Sequence, residues 1–483
     1  MKISEKIGIN KAQPELDFFD YDIDKDNLKF IDPYYISKKE DEFLELCDEY
    51  IKTFFNRFLD LLKRDEELAL DIFSHLGEIN EICLGMSKNK PAGKGIGRLN
   101  ALSIFKSIKK SAALEKGVID GIEDVRLFID GVDKDKISDM VANIIKYPLI
   151  QYTQEQCKLF GVKLQMVESG YYWNKETISW ERGHQEMLVI DDKKYLLFPK
   201  ILVSDSKYYT PDEYFRHYIL NYLQEENIKN DTSLVRKSYN KDGSLKKAWV
   251  YKKDIVNDMK SRGECFTKSW VANFSKYNPE VFAKFKRKVI NKISDSRHDL
   301  IQQEELDELL DKLILELKSI SPGTENATKY HRLMYGILEL LFYPYIAHPK
   351  IEEEINEGRK RVDISFLNIA ETGFFFLLAN TYNIPCNKIM IECKNYSKDL
   401  KNPELDQMAG RFSTNRGRFG IVCCRSIEDK ELIIDSERDT AVDNRGWIIH
   451  LTDEEIIELL EMRKKSISVD NFLISKFDEI ISK

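Results

Sequence analysis

Asp363 is followed 29 positions later by Glu392-Cys393-Lys394, and both sites lie in short apolar runs. In KIMIECK (388–394), strand alternation puts Ile389, Ile391 and Cys393 on one face and Met390, Glu392 and Lys394 on the other. In RVDISF (361–366), Val362, Ile364 and Phe366 share one face, and Arg361, Asp363 and Ser365 share the other. Should the two strands pair, Asp363 and Glu392 converge beside the ammonium of Lys394. Two carboxylates held close repel each other, and burying them is costly unless a cation neutralises them. Mg2+ (or Mn2+) suits such a pair, because it takes oxygen ligands and fills its remaining positions with water and phosphate oxygens. The expected ligands are Asp363, Glu392 and the backbone carbonyl of Cys393. The chemistry is hydrolysis of a phosphodiester, with the ion acidifying a water and stabilising charge on phosphorus. Lys394 is expected to orient or deprotonate that water, or to neutralise the phosphate. The competing reading is a salt bridge on a solvated sheet face, but a run as apolar as KIMIECK fits a central strand better.

The elements that must position these groups follow from periodicity. Residues 326–343 read as a helix, with Tyr330, Leu333, Met334, Ile337, Leu338 and Leu341 in one stripe. Strands are expected near 350–355, 361–366, 388–394, 418–424 and 446–451. Helices are expected at ETGFFFLLANTY, 403–412 and 428–436. A central mixed sheet flanked by helices is the predicted product. Upstream, LIQQEELDELLDKLILELKS (300–319) is a strong amphipathic helix closed by Ile320-Ser321-Pro322-Gly323, which sets a domain boundary.

The arrangement resembles the PD-(D/E)xK nuclease superfamily. Asp363 with Glu392-Cys393-Lys394 is similar to its D…ExK signature, and ECKNY is similar to the motif of Mrr-like restriction endonucleases. Val362, not Pro, precedes the Asp. The resemblance covers about residues 325–450. It implies an α/β/α restriction-endonuclease-like domain and two further catalytic residues, Glu339 on the preceding helix and Gln407 on the following one. It also implies an endonuclease acting on DNA, a role in restriction or anti-phage defence, and a homodimer or larger homo-oligomer. An RNase or branched-DNA nuclease, acting as a toxin or in repair, is one alternative. A non-cleaving nucleic-acid-binding or signalling module on a nuclease fold is another.

With 483 residues, the chain is expected to divide into a helical region (1–150), an α+β region of sensing or nucleic-acid-binding type (151–320) and the nuclease domain (325–483). The formal charge of −8 gives no whole-chain basic footprint, so nucleic-acid contact must rest on local patches. Arg359, Lys360 and Arg361 form one such patch, and Arg411, Arg416 and Arg418 another, each suited to phosphate. Asn395 and Tyr396 are expected to touch the nucleic acid or to close the strand.

Residues 38–76 read as helical with Ser37 as N-cap, and KYLLFPKILVS (194–204) reads as a strand after the turn signal Asp191-Asp192. YTPDEYFRHYILNYLQEE reads as helix, and 229–247 as a polar exposed segment. KPAGKGIGR (90–98) lacks phosphate-loop spacing and is expected to be a basic loop. The eight cysteines have no zinc spacing and are expected as reduced packing residues, and His184 as a packing or surface residue. The N-terminus lacks a signal-peptide pattern and no run reaches the ~20 apolar residues of a membrane span, so the expected location is the cytoplasm. A partner protein or small-molecule activator of the N-terminal region is a further expectation.

Overall fold

The structure is a computed structural model, and it describes residues 1–482 apart from 26, 38–40, 78, 86–97, 110, 112–118, 120, 205–208, 265, 296–302, 356–359, 397 and 466. The loop at 90–98 and Arg359 therefore fall outside the described residues, except that residue 98 opens a helix.

The C-terminal part is a mixed α/β unit around one five-stranded sheet. Helix α1 (Ala327–Phe342) leads into β1 (Ile346–Ile355) and β2 (Lys360–Asn368). Then follow α2 (Gly373–Asn380), β3 (Lys388–Lys394), α3 (Asn402–Ala409), β4 (Phe419–Cys424), α4 (Lys430–Val442), β5 (Trp447–Thr452), α5 (Asp453–Lys464) and α6 (Asp470–Ile481). The order across the sheet is β5-β4-β3-β2-β1. β3, β4 and β5 run parallel, and β1, β2 and β3 antiparallel. The expected strands and helices recur within a few residues of these bounds, and α5 and α6 extend the unit.

Alternation along β3 and β4 builds two cores. Ile389, Ile391, Cys393, Ile421 and Cys423 pack with α1, α2, α5, α6 and helix Gln303–Ser319. On the opposite face, Met390, Val422 and Ile448 pack with Leu405 and Met408 of α3 and Ile433 of α4. Val362 departs from the expected facing: it joins Met390 in this second core, whereas Ile364 and Phe366 lie in the first. The alternation of β2 thus fails at its outer end, beyond the residues paired with β3.

The N-terminal region has its own core, extending from Ile3 to Val289. Residues 42–73 form two helices, Glu42–Arg64 and Glu66–Phe73. The cap of the first is Asp41, whose side chain accepts from Leu44 N, and Asp65 caps the second; Ser37 instead ends the short helix Pro33–Ile36. The long strands here are Gln165–Asn174 and Ser179–Ile190, paired as a hairpin, with His184 exposed on the second. KYLLFPKILVS is not one strand: Lys193–Tyr195 pairs with that hairpin, Leu196–Phe198 are buried, and Val203–Ser204 pairs with Phe30–Ile31. The ladder ends at Tyr195: Leu196 N–H donates to the Glu81 carbonyl instead, and Pro199 forms an isolated bridge with Phe18. The seven described cysteines are free and buried. Among the described residues no helix is long and apolar enough to cross a membrane.

The two halves meet at a seam that is largely polar. Lys200 Nζ lies 2.7 Å from Glu339 Oε1, and both side chains are buried. His348 Nε2 lies 3.1 Å from Asp41 Oδ1, and its backbone N–H donates to Asp17 Oδ1. Apolar contact crosses it as well: the Phe160 and Tyr335 rings lie 6.0 Å apart edge to face, Leu159 packs against the C-terminal core and Ile369 against the N-terminal one.

Candidate active site

β2 and β3 are antiparallel neighbours, with Ile391 opposite Ile364 and Met390 opposite Ser365. The pairing runs to Ile391 and Ile364, and Asp363 comes next along β2, close enough to Glu392 for its charge to raise that carboxyl. Asp363 Oδ2 accepts from the backbone N–H of Cys393 at 2.9 Å, which anchors the carboxylate over the end of β3. Lys394 Nζ donates to Glu392 Oε2 at 3.2 Å and to Gln407 Oε1 at 3.0 Å. Asp363, Glu392, Lys394 and Gln407 are therefore brought together. Gln407 reaches the group because α3 lies across this face and packs Leu405 and Met408 beneath it.

Glu392 is almost wholly buried. Its Oε1 lies 3.0 Å from Arg411 Nε, but that N–H donates to the Arg361 carbonyl, and Oε1 accepts no hydrogen bond. Burial raises the Glu392 carboxyl and the charge of Asp363 raises it further, while Lys394 and Arg411 only partly offset this, so it stands at about 7. A buried carboxylate with a free oxygen facing a second carboxylate is under-compensated, which is the condition a divalent cation relieves. Among the described residues no three His, Cys, Asp and Glu side chains converge as a metal set. The donors on offer are two carboxylates and a main-chain carbonyl, a hard-oxygen set that fits Mg2+ with water completing the shell.

The carbonyl of Cys393 is not free. His331 Nε2, on the first turns of α1, lies 3.0 Å from it and 3.9 Å from Asp363 Oδ2. Sequence reasoning missed His331. The only signal was its place next to Tyr330 in the apolar stripe, and that stripe says nothing about what lies across the sheet.

Glu339 is corrected. It sits eight residues beyond His331 on the same helix, about 12 Å along the axis, and is fully buried against Lys200 rather than beside Asp363. Burial raises its carboxyl above the ordinary range, and Lys200 opposes that rise. Asn395 is likewise buried: its Nδ2 donates to Ser321 O at 3.3 Å and Gly323 O at 2.9 Å, so it ties β3 to the linker instead of facing solvent. Arg411 is a buried partner of Glu392, not a surface cation, and its Nη1 donates to Gln407 O at 2.9 Å. Arg416 donates to the Arg411 carbonyl at 3.1 Å, and Arg418 to Asn444 Oδ1 at 3.0 Å. Lys360 donates to the Gly410 carbonyl, and Arg361 Nη1 to Glu352 Oε2 at 3.3 Å; both remain exposed near the site.

Residues 8–210 match a family described as a domain of unknown function (DUF8370), which ends short of this site. No curated protein and no solved structure matches the chain.

Proposed function

We propose that the C-terminal unit is a restriction-endonuclease-like domain and that the protein is a Mg2+-dependent endonuclease cutting DNA. The observation that carries this reading is the convergence of Asp363, Glu392, Lys394 and Gln407 at the end of β3. Asp363, Glu392 and the Cys393 carbonyl would hold the ion. When bound, it supplies Lewis-acid stabilisation of phosphorane charge and a more acidic water. The chain's own groups do the rest. Lys394, steadied between Glu392 and Gln407, holds an ammonium where it orients the attacking water and meets negative charge on phosphorus. Arg411 offsets part of the Glu392 charge. His331 orients the Cys393 carbonyl, whose second lone pair would serve the ion. A defence role and self-association belong to the same proposal by likeness of motif alone.

One observation favours a second reading, a non-cleaving nucleic-acid-binding module on a nuclease-type frame: Arg411 already sets a cation 3.0 Å from Glu392, and His331 already lies 3.0 Å from the Cys393 carbonyl, at groups that would serve an ion. Purified protein incubated with plasmid, linear DNA and RNA, with Mg2+, Mn2+ or EDTA, separates the two. Metal-dependent cutting of DNA is expected. Lys394→Ala and Asp363→Asn should each lower it by about 100-fold or more, with the circular dichroism spectrum unchanged. If no substrate is cut under either metal, the second reading replaces the first. RNA cutting alone would overturn the choice of DNA.

A further inference from the structure

The chain carries a net charge of −8, yet residues 229–289 hold sixteen Lys and Arg against six Asp and Glu. That stretch is thus +10 and the remainder −18. Its most exposed part is a two-stranded hairpin, Arg236–Tyr239 with Leu245–Trp249. The base of the hairpin is seated: Gln224 Nε2 donates to the Val250 carbonyl, and Arg236 Nη2 lies 3.0 Å from Asp254 with its guanidinium 4.8 Å from the Tyr251 ring. The outer half covers nothing, because every residue from Tyr239 to Lys247 is exposed. The tip is nonetheless well formed: Asp242 Oδ1 accepts from Ser244 N and Oγ, Asn240 N–H donates to Ser244 O at 2.8 Å, and Gly243 supplies the positive φ. A two-stranded ribbon standing alone is marginally stable, so an ordered one that buries no core calls for another purpose.

The side chains displayed there are Lys241, Lys246 and Lys247, with no carboxylate partner among the described residues, and Tyr239 opposite Leu245. Lys253 continues the cations onto the next helix. Cations around a narrow ribbon, with Tyr239 and Leu245 paired just below its polar tip, match a duplex groove: the major groove admits a two-stranded ribbon, and phosphates line both its walls.

We propose that the 236–249 hairpin is a double-stranded DNA-binding element, separate from the Asp363 site, that inserts into the major groove and holds the duplex. It is independent of whether the protein cuts. The test is fluorescence anisotropy of the full-length chain with a labelled duplex in EDTA, which stops any metal-dependent cleavage, over a range of salt. Lys241→Gln, Lys246→Gln and Lys247→Gln combined should weaken binding about tenfold or more at physiological salt. The slope of log affinity against log salt should fall by about 2.7, for three lost phosphate contacts. Tyr239→Ala with Leu245→Ala should weaken binding and leave that slope unchanged. Wild-type affinity and slope in the triple variant would overturn the proposal, as would tighter binding to single strands or RNA of the same sequence. Failure to cut DNA bears on the catalytic reading alone.

Discussion

Within the candidate site, Glu392 is a residue on which pH acts. Burial and the neighbouring Asp363 lift its carboxyl to about 7. A carboxyl raised in the fold holds its proton below that value, so the cation of the proposed reading would have to displace it. The sign is therefore fixed: ionised Glu392 burdens the fold above about pH 7, and a bound cation relieves the burden there. Below pH 7 the proton competes, and apparent Mg2+ affinity should fall by up to about tenfold per pH unit. Metal titrations of cleavage between about pH 6 and 8 read this directly, and a midpoint that does not move with pH would contradict the assignment. Glu392 and Lys394 were legible because alternation in KIMIECK is a local pattern, whereas the alternation read in RVDISF breaks at Val362, beside Asp363. Gln407 became legible through the resemblance and the placement of the helix after β3. Glu339 was not. It lies one position off the stripe of α1, and its partner Lys200 is 139 residues upstream, beyond any local pattern.

At the scale of elements, β4 depends on a tight entry. Gly417 has φ +122, and a Cβ there would stand 2.9 Å from the Lys388 carbonyl and 3.1 Å from Cys386 Cα, both main-chain atoms. Gly417→Ala should therefore cost about 2 kcal/mol or more of stability, since the backbone cannot step aside. Chemical denaturation of the two proteins measures it, and an unchanged midpoint would mean that the turn re-forms without strain. The C-terminal elements were readable because buried strands there alternate with amphipathic helices, each with its own period. The hairpin Gln165–Asn174 with Ser179–Ile190 was not, because its faces are mostly partly exposed and its residues mixed. Leu196–Phe198 misled in the opposite sense: an apolar run can be buried as irregular chain inside a core, with no ladder.

For the molecule as a whole, the seam is the feature that sequence could not show. It joins residues from distant parts of the chain, and its groups are charges that look like surface residues when read alone. Breaking one ion pair in it strands its partner. Lys200→Met should destabilise the protein by about 3 kcal/mol or more, by leaving Glu339 buried and uncompensated. Lys200→Met combined with Glu339→Leu should recover most of the loss. A thermal-denaturation cycle decides this, and a double variant no better than the single one would show that the pair does not act as a unit.

Helix α1 joins the two places just described. Near its start His331 reaches the Cys393 carbonyl, and near its end Glu339 is clasped by Lys200. An α-helix resists compression along its axis, so these contacts are the ends of one lever about 12 Å long. Whatever loosens the grip of the N-terminal half on one end therefore shifts the other, which sets the Cys393 carbonyl mechanically in series with Lys200.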